Sequence, residues 1–236
     1  MARLTRQQLK QDEFATQLAG IREFSLQNQR TIVIAALAIV AAVAVIVGGY
    51  LYVSSRQTRA SEALADALAV FHAPVMATPP ANAAGPTFKS DSEKYQQAYK
   101  LFSDVADRYS WYAQGKFARY YAALCERELG KFPEAQKDLN AIAEGGDKDL
   151  AALAKLSLAG VDKQTGRNDE AEKLLKDLED HPTDTVPKAT VELELADLYQ
   201  KTKPAEAAVL YKKIQTEFPG MAAGDLASKM LLGPPR

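Results

Sequence analysis

The feature that most restricts the fold is an internal repeat. The pairs Glu134-Ala135, Glu170-Ala171 and Glu206-Ala207 recur with their alanines 36 residues apart in both intervals. A period of this size marks chains built from units that cannot bury an apolar face alone and must stack on one another. A turn precedes each pair: Gly130-Lys131-Phe132-Pro133, Gly166-Arg167-Asn168-Asp169 and Thr202-Lys203-Pro204. Pro133 and Pro204 suit a first helical turn, where the N–H that proline lacks has no partner anyway, and Asn168 with Asp169 is expected to cap the helix between them. Upstream of each turn an apolar-periodic helix carries Ala122-Ala123, Leu158-Ala159 or Leu195-Ala196. Downstream, Leu139 and Ile142, Leu175 and Leu178, and Leu210 and Ile214 keep one face of the second helix apolar.

Extending the period backwards from Ala135 lands on Tyr99, beside Ala98, with Phe102 and Val105 on the expected inner face. Ser90 and Glu93 have the spacing of a capping box at the start of that helix. Its partner is expected at Arg59 to Phe71, and between the two lies Ala73 to Lys89, where Pro74, Pro79, Pro80 and Pro86 exclude a helix. Met221 to Leu232 reads as a last helix covering the end of the stack. The predicted fold is therefore all-α: a solenoid of about four helix pairs, the first split by a Pro-rich loop, with a C-terminal capping helix.

The order small residue, turn glycine, early alanine and following proline resembles the tetratricopeptide repeat (TPR). Its best local match runs from Leu195-Ala196-Asp197-Leu198-Tyr199 through Ala207 to Phe218-Pro219, with a turn one residue shorter than the family spacing. In that family the first helices line a concave, protein-binding face. The resemblance implies that Phe117, Tyr120, Leu124, Arg127, Leu153, Leu156, Lys163, Leu193 and Gln200 line it here. Apolar residues beside Arg127 and Lys163 would suit an extended or partly unfolded chain with acidic or C-terminal carboxylate groups. The basic clamp of chaperone-tail-binding TPR domains is not visible.

Ahead of the repeats, Thr31 to Val53 is 23 residues without a charge. At about 1.5 Å per residue such a helix is roughly 35 Å long, enough to cross a bilayer while satisfying its own backbone. Tyr50 and Tyr52 lie at one end, where interfacial aromatics are favourable. The run is too long, and its end too bulky, for a cleaved signal peptide, so an uncleaved anchor is expected. Five Lys and Arg precede the span (Arg3, Arg6, Lys10, Arg22, Arg30) and two follow closely (Arg56, Arg59), which predicts a cytoplasmic N-terminus. Ala38/Ala42 and Ala44/Gly48 either admit a second helix or simply face lipid. The arm's Leu4, Leu9, Phe14, Leu18, Ile21 and Phe24 suggest an amphipathic helix on the membrane surface, with a solvated arm as the alternative. The expected partition is arm 1–30, span 31–53, first solenoid helix 54–72, loop 73–89 and repeats with cap 90–236.

Composition narrows the function classes. A net charge of -1, with 47% hydrophobic residues, argues against a nucleic-acid binder and a disordered chain. One cysteine and two histidines exclude a disulfide scaffold and the usual structural zinc sites. No phosphate-loop, dinucleotide, zincin or nucleophile-elbow motif occurs, so neither an enzyme nor a cofactor or metal is expected. His72 and His181 read as helix-end residues and Cys125 as a packing residue. The carboxylate groups Glu192/Glu194 and Asp177/Glu179/Asp180 are expected on solvated faces. Trp111, Tyr112, Phe117, Tyr120 and Tyr121 form the densest aromatic cluster, expected in the core, with a partner-facing patch as the alternative.

A short arm, a single span and a TPR-like domain, in that order, resemble the bacterial YfgM-like family of ancillary Sec translocon subunits. The resemblance implies a single-pass inner-membrane protein with a periplasmic domain, set beside the translocon and periplasmic chaperones, that holds secreted or envelope proteins. The alternative is a structural accessory or assembly subunit of a larger envelope complex.

Overall fold

The computed structural model describes residues 29–76, 78 and 85–232. Among them lie nine helices and no strand: α1 (Gln29–Phe71), α2 (Asp91–Arg108), α3 (Ala113–Glu128), α4 (Phe132–Ala143), α5 (Lys148–Gln164), α6 (Asn168–Asp180), α7 (Lys188–Thr202), α8 (Pro204–Glu217) and α9 (Ala222–Leu232). The chain divides into two compact units, Met1–Arg56 and Gln57–Arg236. The amphipathic arm expected before the span, Leu4 to Phe24, lies outside the described residues.

In the first unit, α1 is apolar on all its faces. Val33, Leu37, Val40, Val45, Ile46 and Leu51 are all more than half exposed, and an 18-residue window reaches a mean hydropathy of 2.9 with none of it buried by protein. A helix apolar all round and uncovered by protein is long and greasy enough to cross a membrane. Near its end the Arg56 Nε donates to the Tyr52 hydroxyl at 3.3 Å.

The second unit is a stack of pairs: the later part of α1 with α2, then α3 with α4, α5 with α6 and α7 with α8, closed by α9. Each helix from α2 onward packs on the next, and α3 also meets α5 while α7 meets α9. Of the first helices, α3 and α5 thus meet directly. The repeated alanines make the close approach possible. Ala135, Ala171 and Ala207 are 0%, 0% and 2% exposed, and Ala123, Ala159 and Ala196 are equally enclosed. Around Phe71, an aromatic knot closes the first pair: its ring stands edge-on to Tyr95, Phe102 and Tyr121, and Phe102 stacks on Tyr121 at 5.1 Å.

The turns show how the period is written in backbone chemistry. Gly130 and Gly166 adopt φ of 73° and 78°, and the next residue donates back to the carbonyl five positions earlier, Lys131 to Glu126 at 2.9 Å and Arg167 to Asp162 at 2.8 Å. This is the helix-ending Schellman arrangement, which needs a residue tolerant of the left-handed region. The third turn has no glycine and is tighter: Lys203 ends α7 by donating to Tyr199 O at 2.7 Å and is also the residue preceding α8. One expected cap is not made. Asn168 and Asp169 lie inside α6, and the preceding Arg167 makes no side-chain cap, since a guanidinium has no acceptor; it donates back to Asp162 instead. Ser90 does cap α2, accepting from Glu93 N at 3.2 Å, while the Glu93 carboxylate takes the N–H of Lys89.

The Pro-rich loop is closed at its base. Met76 N donates to Phe88 O at 2.8 Å and Phe88 N to Pro74 O at 3.2 Å, a single parallel bridge between Val75 and Phe88. At the other end, α9 buries Gly224 and Ala227 against the stack and leaves Leu226, Met230 and Leu232 outward.

Candidate protein-interaction groove

The first helices present two open clefts. One lies between the later part of α1 and α3, about 300 Å³, lined by Ser61, Leu64, Ala65, Leu68, Gln114 and Phe117. Gln114 Nε2 donates to Ser61 Oγ at 2.9 Å and fixes its upper edge. The other, also about 300 Å³, lies between α7 and α9, with Leu193, Tyr211, Leu226 and Met230 as its apolar wall and Thr190, Glu194 and Asp197 as its rim.

Of the nine expected groove residues, Phe117 is 38% exposed and belongs to the first cleft, and Leu193 is half-buried in the second. Gln200 is exposed. Tyr120 is half-buried and shares a hydrogen bond with Ser157 Oγ at 2.9 Å, and burial pushes its hydroxyl pKa up. Leu153 and Leu156 are half-buried and pack against the core. Leu124 is 8% exposed, so it is a core residue rather than a surface one; its side of α3 is covered by the neighbouring helices.

Charge differs most from expectation. Lys163 Nζ reaches Glu194 at 2.8 Å and Asp197 at 2.6 Å across the α5–α7 boundary. Burial works against its charge, but the hydrogen bonds to Asp197 and Glu194 outweigh it and raise its pKa. Arg127 pairs with Glu128 at 2.7 Å. The two cations expected to meet a ligand carboxylate are therefore already occupied, and what they offer the groove is structure. Tyr120 with Ser157 stitches α3 to α5, and Lys163 with Glu194 and Asp197 stitches α5 to α7.

The carboxylates expected on solvated faces are similarly engaged. Glu192 is fully buried, takes Lys213 Nζ at 2.7 Å and Lys188 Nζ at 3.6 Å, and leaves its Oε2 without a partner. Asp177 accepts from Lys155, which holds its pKa below the ordinary range, and Glu179 faces Lys213 at 3.5 Å. Helical position alone does not reveal such pairs. A search for opposite charges about one repeat apart would have found Lys163 with Asp197, 34 residues on.

Among the aromatics, Phe102 and Tyr121 are core as a stack, whereas Trp111, expected inside, is 95% exposed. It sits in the α2–α3 turn, whose geometry faces it outward. Cys125 is fully buried, and burial lifts its thiol to about 12, which keeps it protonated and unreactive. His181 places Nδ1 3.0 Å from the carbonyl of Asp177 at the end of α6. Among the described residues no three His, Cys, Asp or Glu side chains converge as metal ligands.

Comparison with curated proteins and with solved structures returned no match. A family model does match. Described as a tetratricopeptide repeat-like domain, it covers residues 22–185, well over half of the 236-residue chain. The match takes in the apolar span together with the pairs up to α6, so span and repeats are read as one pattern, and α7 to α9 extend beyond it. The chain belongs to the tetratricopeptide repeat-like domain family.

Proposed function

We propose that this protein is a membrane-anchored protein-interaction module that holds extended segments of secreted or envelope proteins along its first helices, as an ancillary factor beside the translocon and periplasmic chaperones of a bacterial inner membrane. The observation that carries the reading is the pair of apolar clefts bordered by first helices, at Phe117 and at Leu193, in a chain that also carries an uncovered apolar helix. Apolar clefts floored by first helices suit alternate side chains of an extended polypeptide. The basic excess before the span supports a cytoplasmic N-terminus, with the repeats on the far side.

A photo-crosslinker at Phe117 or Leu193, with Lys137 and Lys173 on the second helices as controls, tests this. Capture of a nascent secreted chain and of the channel from the cleft positions is expected. Capture only from the control positions would sink the groove assignment. Moving Arg3, Arg6 and Lys10 beyond the span tests orientation, since a topology reporter should invert or insert poorly.

A second reading, an assembly subunit of a larger envelope complex, is favoured by one observation. With Arg127 and Lys163 neutralised within the chain, the groove retains apolar shape more than charge, which also suits a fixed folded partner. Stoichiometric co-purification with one complex in mild detergent, without any substrate chain, would select this reading.

A further inference from the structure

The α2–α3 turn presents the chain's only tryptophan to solvent. Trp111 is 95% exposed, although most tryptophans bury much of their surface. It is held there by a rigid corner. Tyr109 is buried and its carbonyl accepts from Tyr112 N at 2.9 Å. A Cβ on Gly115 would come within 2.1 Å of that same carbonyl oxygen, so α3 and the turn are in backbone contact. With Tyr109 anchored inward, Trp111 projects outward.

Two cations follow it in the chain, within the first two turns of α3. Lys116 and Arg119, both exposed, border a cleft of about 230 Å³ with Ser110 and Gly115, and among the described residues neither pairs with a carboxylate. The one acidic residue on that cleft, Asp147, is committed to capping α5 through the N–H of Leu150 at 3.2 Å.

The turn also lies at the end of its unit where the chain arrives from the span. Gln114 is hydrogen-bonded to Ser61, and Ser61 is eight residues after Val53, a stretch that reaches at most about 29 Å. Tryptophan is favoured at headgroup depth, and each Lys or Arg near an anionic surface is worth roughly fivefold in partitioning. We infer that Trp111, Lys116 and Arg119 form a second membrane contact, in which the indole enters the interfacial layer and the two cations meet anionic lipid headgroups. The proposal rests on the span being membrane-embedded, which flotation with vesicles checks separately.

Because Trp111 is the sole tryptophan, the emission of the full chain reports on this residue alone. The chain is reconstituted in vesicles of phosphatidylcholine with phosphatidylglycerol and, for comparison, of phosphatidylcholine alone. Expected in the anionic vesicles are a blue-shifted emission, strong quenching by brominated acyl chains and protection from aqueous iodide. The lipid quenching should fall several-fold in phosphatidylcholine alone, at high salt, and in a Lys116→Gln/Arg119→Gln variant whose circular dichroism is unchanged. Water-like emission in vesicles that carry the protein overturns the proposal while leaving the span intact. Protection from iodide without lipid quenching also overturns it, by indicating a protein contact. Equal lipid quenching in neutral vesicles removes the headgroup part. Failure to float at all would instead refute the span.

Discussion

Glu126 and Asp162 occupy the same place in successive pairs, 36 residues apart, each near the end of a first helix and each almost fully buried. Their surroundings differ. Asp162 accepts two bonds from Arg167, at 2.9 and 2.7 Å, and a third from Gln136 at 3.0 Å. Glu126 has no such clasp. Lys131, the counterpart of Arg167, lies over the Tyr99 ring at 5.9 Å, and Glu126 Oε2 is left without a partner. Burial first, and the nearby Asp138 second, push the Glu126 pKa up, with the Tyr99 hydroxyl partly offsetting them. In the third turn Lys203 chooses another target, Glu172, at 2.8 Å; Lys176 first, then Lys203 and Tyr199, draw that carboxyl down to about 2. A repeated backbone thus brings a cation to each turn without repeating what the cation satisfies. A planar guanidinium fork closes on one carboxylate oxygen beside its own turn, while an ammonium on a longer, freer stem goes where a local partner is closest.

The largest test of this contrast is Arg167→Ala, which strands a buried carboxylate. A loss of roughly 2–3 kcal/mol is expected, below the full cost of breaking a buried pair because Arg167 is partly solvated. Thermal unfolding of the full chain in detergent measures it, and adding Asp162→Asn should recover most of the loss; no recovery would mean that the arginine acts elsewhere. Gly166→Ala should cost about 1–2 kcal/mol by the same assay. No atom lies within 4 Å of the added Cβ, so the cost is that of the left-handed backbone alone, and Gly130→Ala should match it.

Smaller effects act on Glu126. Its folded pKa lies above 4.5, so its favourable contribution is complete below that value and is lost as pH rises through the raised one. Glu126→Gln should therefore raise stability near neutral pH, by less than about 1 kcal/mol, and flatten the pH dependence of melting in that window. A steeper dependence would contradict the assignment. The finest test converts one solution into the other: Lys131→Arg should bring a fork within reach of Glu126 and lower its pKa, as read by carboxyl-carbon NMR chemical shifts, with a small accompanying rise in melting temperature near neutral pH.

What was legible in the sequence follows from the range of each signal. The 36-residue alanines, the turn glycines and the Ser90 cap are local, and each appears in the structure as its own chemistry requires. Asn168 and Asp169 mislead because two capping solutions compete within one turn, and the backbone bond of Arg167 wins. Glu192, Lys163 and Asp177 could not be read from one helix, since the partners of each lie on a neighbouring helix. Leu124 and Trp111 exchange expected places for a related reason: residue type favours burial for both, but helix packing covers one and a corner exposes the other. Phe117 and Leu193 do border open clefts, whereas the free charge expected at Arg127 and Lys163 is absent because a carboxylate on the same or a neighbouring helix takes each cation.

The bridge between Val75 and Phe88 has a consequence for how this chain can vary. With the loop ends held together by backbone bonds, doubling the intervening length would cost only about 0.6 kcal/mol in closure entropy, and the first pair would not register the change. That makes the stretch a natural port for insertions. An epitope, a fluorescent domain or a lineage-specific extension placed there would be displayed on a finished solenoid without altering how its helices stack.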